Sequence, residues 1–204
     1  MKNILTPLIA AVVELAVLTA LAIIPSIVVY IDVGLIGHQI GELSVTEIIQ
    51  EILLFLTAFI FGYGAWNHPG QRGFLVLGTG FFSCAFIREL DGLFDLVWHG
   101  FWLIPAGITA LVAILYVLIF HRQSVIDPML GFLKTKSYYF ILIGLIMLLI
   151  FSRTFGSGHL LWKNIMGASY ATEFKSAVQE GLELFGYIHI FYGALLFWRK
   201  DFHS

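Results

Sequence analysis

The chain has 204 residues, of which 59% are hydrophobic and 12% charged, with a formal net charge of −2. The mean hydropathy is +0.92. Soluble domains carry about twice that share of charge, so the composition is that of a membrane protein, and it excludes a basic nucleic-acid binder. One cysteine, Cys84 in an apolar run, rules out a disulfide framework and a cysteine-rich metal site.

A helix needs about 20 apolar residues to cross the hydrocarbon core. Six stretches meet or approach this, at 6–30, 47–66, 74–96, 101–121, 137–155 and 177–198. The first, with Lys2 ahead of it, resembles a secretory leader, but Glu14 interrupts it and IIPSIVVYI continues it, so it reads as a retained span. Pro25 is expected to kink or end that span. Residues 156–175 form neither a span nor a plain loop. Leu160, Leu161, Trp162, Ile165 and Met166 share a helical side there, as in a short interfacial helix between spans five and six. The expected fold is an all-α integral membrane bundle of six transmembrane helices in one domain, 1–204.

Cations set the orientation. Lys2, Arg72, Arg122, Lys134, Lys136, Arg199 and Lys200 fall at one set of ends, against Arg153, Lys163 and Lys175 at the other. Both termini are thereby expected in the cytoplasm, in a bacterial inner membrane.

With that topology the intramembrane charges collect in the outer leaflet. Glu47 and Glu51 open span two, and Arg88, Glu89, Asp91 and Asp95 close span three with His99 beyond. Arg153 ends span five with His159 following, and Glu180 and Glu183 open span six. Ionisable groups at such depth cost several kcal/mol each and face one another or water. On a continuous helix Arg88, Asp91, Asp95 and His99 form one stripe, while Glu89 points a quarter-turn away toward a neighbour. Seven acids against Arg88 and Arg153 must be protonated, hydrated or bound to a cation.

The structural alternative is that Glu47 and Asp95 are solvated helix ends and the arginines form inter-helix ion pairs. The sharper expectation is a site. Its catalytic residues would be Glu51, Arg88, Glu89, Asp91 and Arg153. Asp95, His99, His159, Glu180 and Glu183 would ligate a divalent metal, zinc, iron or manganese. A metal-dependent enzyme acting on a lipid or lipid-linked substrate follows from the position in the bilayer. A proton- or cation-coupled transporter is the alternative, with Glu14 and His189 continuing a path inward, and a non-catalytic subunit docking a partner is a third reading. No HExxH, CxxC, GxSxG or phosphate-loop pattern narrows the choice, and Ser157 near His159 reads mainly as part of a glycine-flanked loop.

Overall fold

The computed structural model describes residues 2–36 and 44–201, and those residues are helical with no strand among them. In chain order the helices are α1 (Lys2–Tyr30), α2 (Val45–Asn67), α3 (Arg72–Glu89), α4 (Asp91–Asp95), α5 (Leu103–Tyr116), α6 (Ile126–Phe132), α7 (Lys136–Ile146), α8 (Ser152–Phe155), α9 (Lys163–Met166) and α10 (Thr172–Asp201). π-Helical turns extend α1 through Ile31–Ile36, extend α5 through Val117–His121 and join α7 to α8 through Met147–Phe151. Among the described residues, five continuous stretches are long and apolar enough to cross a membrane: Pro7–Ile36, Val45–Asn67, Leu103–Ser124, Lys136–Phe155 and Thr172–Arg199. Helix α3 is of 18 residues and carries Arg72, Arg88 and Glu89.

Helix α10 is the hub. It packs on α7, α2 and α1, while α2 packs on α3 and α3 on α5. The core lies along this row, with Leu54, Phe61, Phe82, Tyr187, Ile190 and Phe197 all nearly inaccessible, and Phe61 stacks on Phe197 at 5.7 Å. The outward faces of α1 and of α5 with its π-helical extension present Leu8, Ile9, Leu15, Leu111, Val112 and Ile119, exposed to the surroundings. Apolar side chains on the outside are what a lipid solvent favours.

Two expectations change, while the first helix keeps the end that the run 6–30 gives it: it does not stop at Pro25 but runs through it to Tyr30. A proline costs the helix one backbone bond, a loss that packing can absorb, and Pro25 is itself buried. The third span ends at Glu89 rather than 96, because Leu90 leaves helical geometry (φ −82°, ψ 19°) where the weak helix formers Asp91 and Gly92 follow. The stripe from Arg88 to His99 therefore does not form. Residues 156–175 give no single helix but a π turn at Gly158–Trp162, the four-residue α9 and a 3₁₀ turn at Gly167–Ser169. Gly167 there has φ 55°, a conformation that suits glycine.

Candidate carboxylate site

The end of the bundle where α2 starts is fixed by Asp32. Its carboxylate accepts the Val45 N–H at 2.8 Å, the Thr46 N–H at 2.9 Å and the Thr46 hydroxyl at 2.5 Å, and the residue is almost wholly buried. Ser44 Oγ accepts the Glu47 N–H at 3.2 Å. The orphan amides of a helix start are thus satisfied, and the negative charge lies at the positive end of the helix dipole. Asp32→Ala is expected to lower stability by about 2 kcal/mol, because it removes a charged cap that holds two amides and a hydroxyl. Denaturant unfolding in detergent reads that loss.

From this anchored turn Glu47, Gln50 and Glu51 project. Gln50 is fully buried, and its Nε2 donates to the Glu180 carbonyl at 3.2 Å and to Glu180 Oε2 at 3.1 Å. Glu183, one helical turn further along α10, is also buried and accepts from Gln179 Nε2 at 3.2 Å. Helix α3 delivers Glu89, whose Oε1 pairs with Arg88 Nη1 at 2.7 Å. The Tyr187 hydroxyl of α10 faces the Glu89 carboxylate without closing a hydrogen bond of normal geometry. Glu47, Glu89 and Glu183 all lie within electrostatic reach of Glu180, and Glu183 within reach of Arg88. Acids of α2, α3 and α10 therefore converge.

The partners divide in an informative way. Glu89 has a guanidinium. Glu180 and Glu183 have only neutral amides as hydrogen-bond partners among the described residues. A buried Glu183 beside a half-buried Glu180, both hydrogen-bonded by amides, needs protons or a cation to offset the charge. Beside them a cavity of about 180 Å³ is lined by Glu47, Glu51 and Glu89 together with Leu90, Gly92, Leu93 and Leu96. An apolar cavity of about 240 Å³ adjoins from the other side, with Arg88 and Tyr187 as its polar wall against Phe82, Trp102 and Leu145.

The remaining residues that the sequence singled out lie elsewhere, and the reasons are local. Asp91 is exposed on α4, though Arg88 and Glu89 still feel its charge. Asp95 and His99 are exposed and pair with each other, Nδ1 to Oδ2, at 2.8 Å. The Gly100 N–H, then His99, hold the Asp95 carboxyl below the usual range. Arg153 and His159 are exposed as well. Ser157 accepts the Leu160 N–H at 3.2 Å, which is a helix cap. Glu14 meets Lys136 Nζ through both carboxylate oxygens at 2.8 Å, and His189 Nδ1 donates to the Phe185 carbonyl at 2.8 Å. Among the described residues no three His, Cys, Asp or Glu side chains are grouped so as to hold one metal ion.

Gln50, Gln179, Tyr187 and Asp32 are the site's contributors that hydropathy and charge alone did not single out. A signal existed for Gln50. Thr46, Gln50 and Thr57 fall on one helical face with Leu54 and Phe61, and all five are buried. A polar stripe on the buried face of an apolar helix marks inward contacts. Comparison of the chain with protein-family models, curated proteins and solved structures finds no match, so the site is read from its own geometry.

Proposed function

We propose that this is a six-span membrane protein with both termini cytoplasmic, and that the converging carboxylates form a one-sided, cation-dependent active site in the outer leaflet. Helix α3, about 27 Å long at 1.5 Å per residue, supplies the sixth crossing. The short turns between Gly158 and Ser169 then lie along the outer interface, over the same end. The observation that carries the reading is the pair of half-buried Glu180 and buried Glu183, with only amides as hydrogen-bond partners among the described residues, next to the cavity walled by Glu47, Glu51 and Glu89.

With His99 and His159 turned outward, the donors left to a cation are carboxylate and amide oxygens. Such oxygens suit magnesium, calcium or manganese better than zinc. As the carboxyls stand they are not drawn onto a common point, so the cation would keep part of its water shell. Arg88 lines the apolar cavity and pairs with Glu89 of the carboxylate-walled one, and it would hold the polar head of a lipid or lipid-linked substrate whose chain enters the apolar one. A carboxylate of the cluster would serve as general base toward cation-bound water. Transport through the bundle is the weaker reading, because Glu14 is engaged by Lys136 and His189 by its own helix.

Elemental mass spectrometry on protein purified in detergent without chelator tests this. One divalent cation per chain is expected in the wild type. Loss is expected in Glu89→Gln/Glu180→Gln/Glu183→Gln and retention in Glu14→Gln and His189→Gln. A wild type without bound cation, and with none taken up on titration with magnesium, calcium and manganese, would contradict the cation-dependent reading.

A further inference from the structure

A groove of about 810 Å³ runs between α2, α3 and α5 toward the end away from the acids. It uses Gly62, Ala65 and Trp66 near the end of α2 and Arg72 at the start of α3, whereas Glu47 opens α2 and Glu89 closes α3. Its volume is within the roughly 300–1,000 Å³ typical of small-molecule sites. Ile108 and Val112 on its α5 side are 58% and 60% exposed, so in a bilayer this wall looks onto hydrocarbon.

Among the described residues one charged side chain lines the groove, and it is a cation. Arg72 Nε donates to the Ala65 carbonyl at 2.8 Å and Nη2 to the Trp66 carbonyl at 3.2 Å, which caps the end of α2. That structural duty uses two of the five guanidinium N–H donors and none of the charge. No carboxylate pairs with Arg72 among the described residues, and no acid lines the groove. A second cation stands close by. Arg122 is exposed in the 3₁₀ turn Arg122–Ser124, whose Ser124 Oγ accepts the Gly73 N–H at 2.9 Å. Trp66, exposed at the mouth, is the residue type that seats at headgroup depth.

The lower walls match an acyl chain. Val76, Ile108 and Val112 are apolar, and the hydroxyls of Thr79 and Thr109 are spent on Leu75 and Pro105 carbonyls of their own helices, both at 2.8 Å. A hydrocarbon chain laid along these walls leaves both threonine donors satisfied. We propose that this groove binds an anionic phospholipid, its phosphate on Arg72 and one chain along Val76, Ile108 and Val112. Basic pockets between membrane helices recognise such headgroups. Inorganic phosphate would meet the arginine and leave the apolar walls unused. The site is independent of the carboxylate cluster.

Native mass spectrometry of delipidated protein, titrated with phosphatidylglycerol or phosphatidylcholine of identical chains, tests the assignment. Phosphatidylglycerol is expected to bind in preference, and inorganic phosphate not to displace it. Arg72→Gln is expected to weaken that binding about tenfold, the loss of a charge-assisted contact. Val112→Trp, on an exposed position that spares the core, is expected to block the groove while the bundle stays folded. Equal binding of the two lipids, or undiminished phosphatidylglycerol binding by Val112→Trp, would overturn the proposal. A dimer that Val112→Trp dissolves would assign the groove to a second copy of the chain and overturn it too.

Discussion

Replacing Arg88 with alanine is expected to destabilise the folded protein by about 2–3 kcal/mol, and adding Glu89→Gln to recover most of that loss. Glu89 keeps only 10% of its side-chain surface exposed, and its charge partner is the Arg88 guanidinium at 2.7 Å. Removing one member of a fully buried pair costs about 3–5 kcal/mol because the other charge is left uncompensated. Arg88 retains 35% of its own surface, so solvent screens part of the loss and the smaller figure applies. The double replacement leaves a neutral amide, which is far cheaper to enclose than a lone carboxylate. Thermal unfolding of the three variants in one detergent measures both steps. A double variant no more stable than Arg88→Ala would mean that the arginine acts through packing rather than charge.

The second large effect concerns how α10 is held against α7. A Cβ added at Gly144 would stand 2.5 Å from the Gly186 carbonyl oxygen and 2.6 Å from Ile190 Cγ1, with the Ile190 backbone nitrogen at 3.0 Å. Two of these atoms belong to backbone, so a side chain cannot be accommodated by a rotamer change. Small residues bring membrane helices to this spacing, and their replacement forces the helices apart. Gly144→Ala is expected to cost about 3 kcal/mol, at the upper end for overpacked cores. A Cβ added at Gly107 on α5 would meet no atom within 4 Å, so Gly107→Ala serves as the neutral or slightly stabilising control. Because α10 carries Glu180, Glu183 and Tyr187, Gly144→Ala is also expected to disturb the carboxylate site, although it touches none of them.

Much of the helix plan can be read directly from the chain. The apolar run 47–66 becomes Val45–Asn67, and 177–198 lies inside Thr172–Asp201, because a mainly apolar stretch of that length satisfies its backbone in lipid only as a helix. The failures come where polar residues break that rule. In RELDGLFD the helix stops after Glu89, so Asp91 and Asp95 turn outward and His99 follows them. A continuous-helix projection could not foresee that stop, since Asp91 and Gly92 are tolerated in some helices and terminal in others.

For the site, the deep acids Glu89, Glu180 and Glu183 were visible as charges inside apolar runs. Their neutral partners were not. Gln50 and Tyr187 carry no charge, and which helix stands beside α10 is a property of the bundle that a hydropathy profile does not contain. Glu14 gave the opposite lesson. It looked solitary within its span, yet Lys136, 122 residues later, reaches it from the start of α7. A charge pair between distant segments is invisible until the helices are placed.

Convergence of the acids from α3 and α10 underlies the proposed cation site, and it can be measured in native membranes. In a Cys84→Ser background, cysteines placed at Glu89 and Glu183 would be treated with a short bifunctional maleimide, with the Asp95/Glu183 and Arg153/Glu183 pairs as controls. Rapid cross-linking within one chain for 89 with 183, and little for either control pair, is the expected result. Equal cross-linking of the control pairs, or none between 89 and 183 while both cysteines react singly, would contradict the convergence on which the site rests.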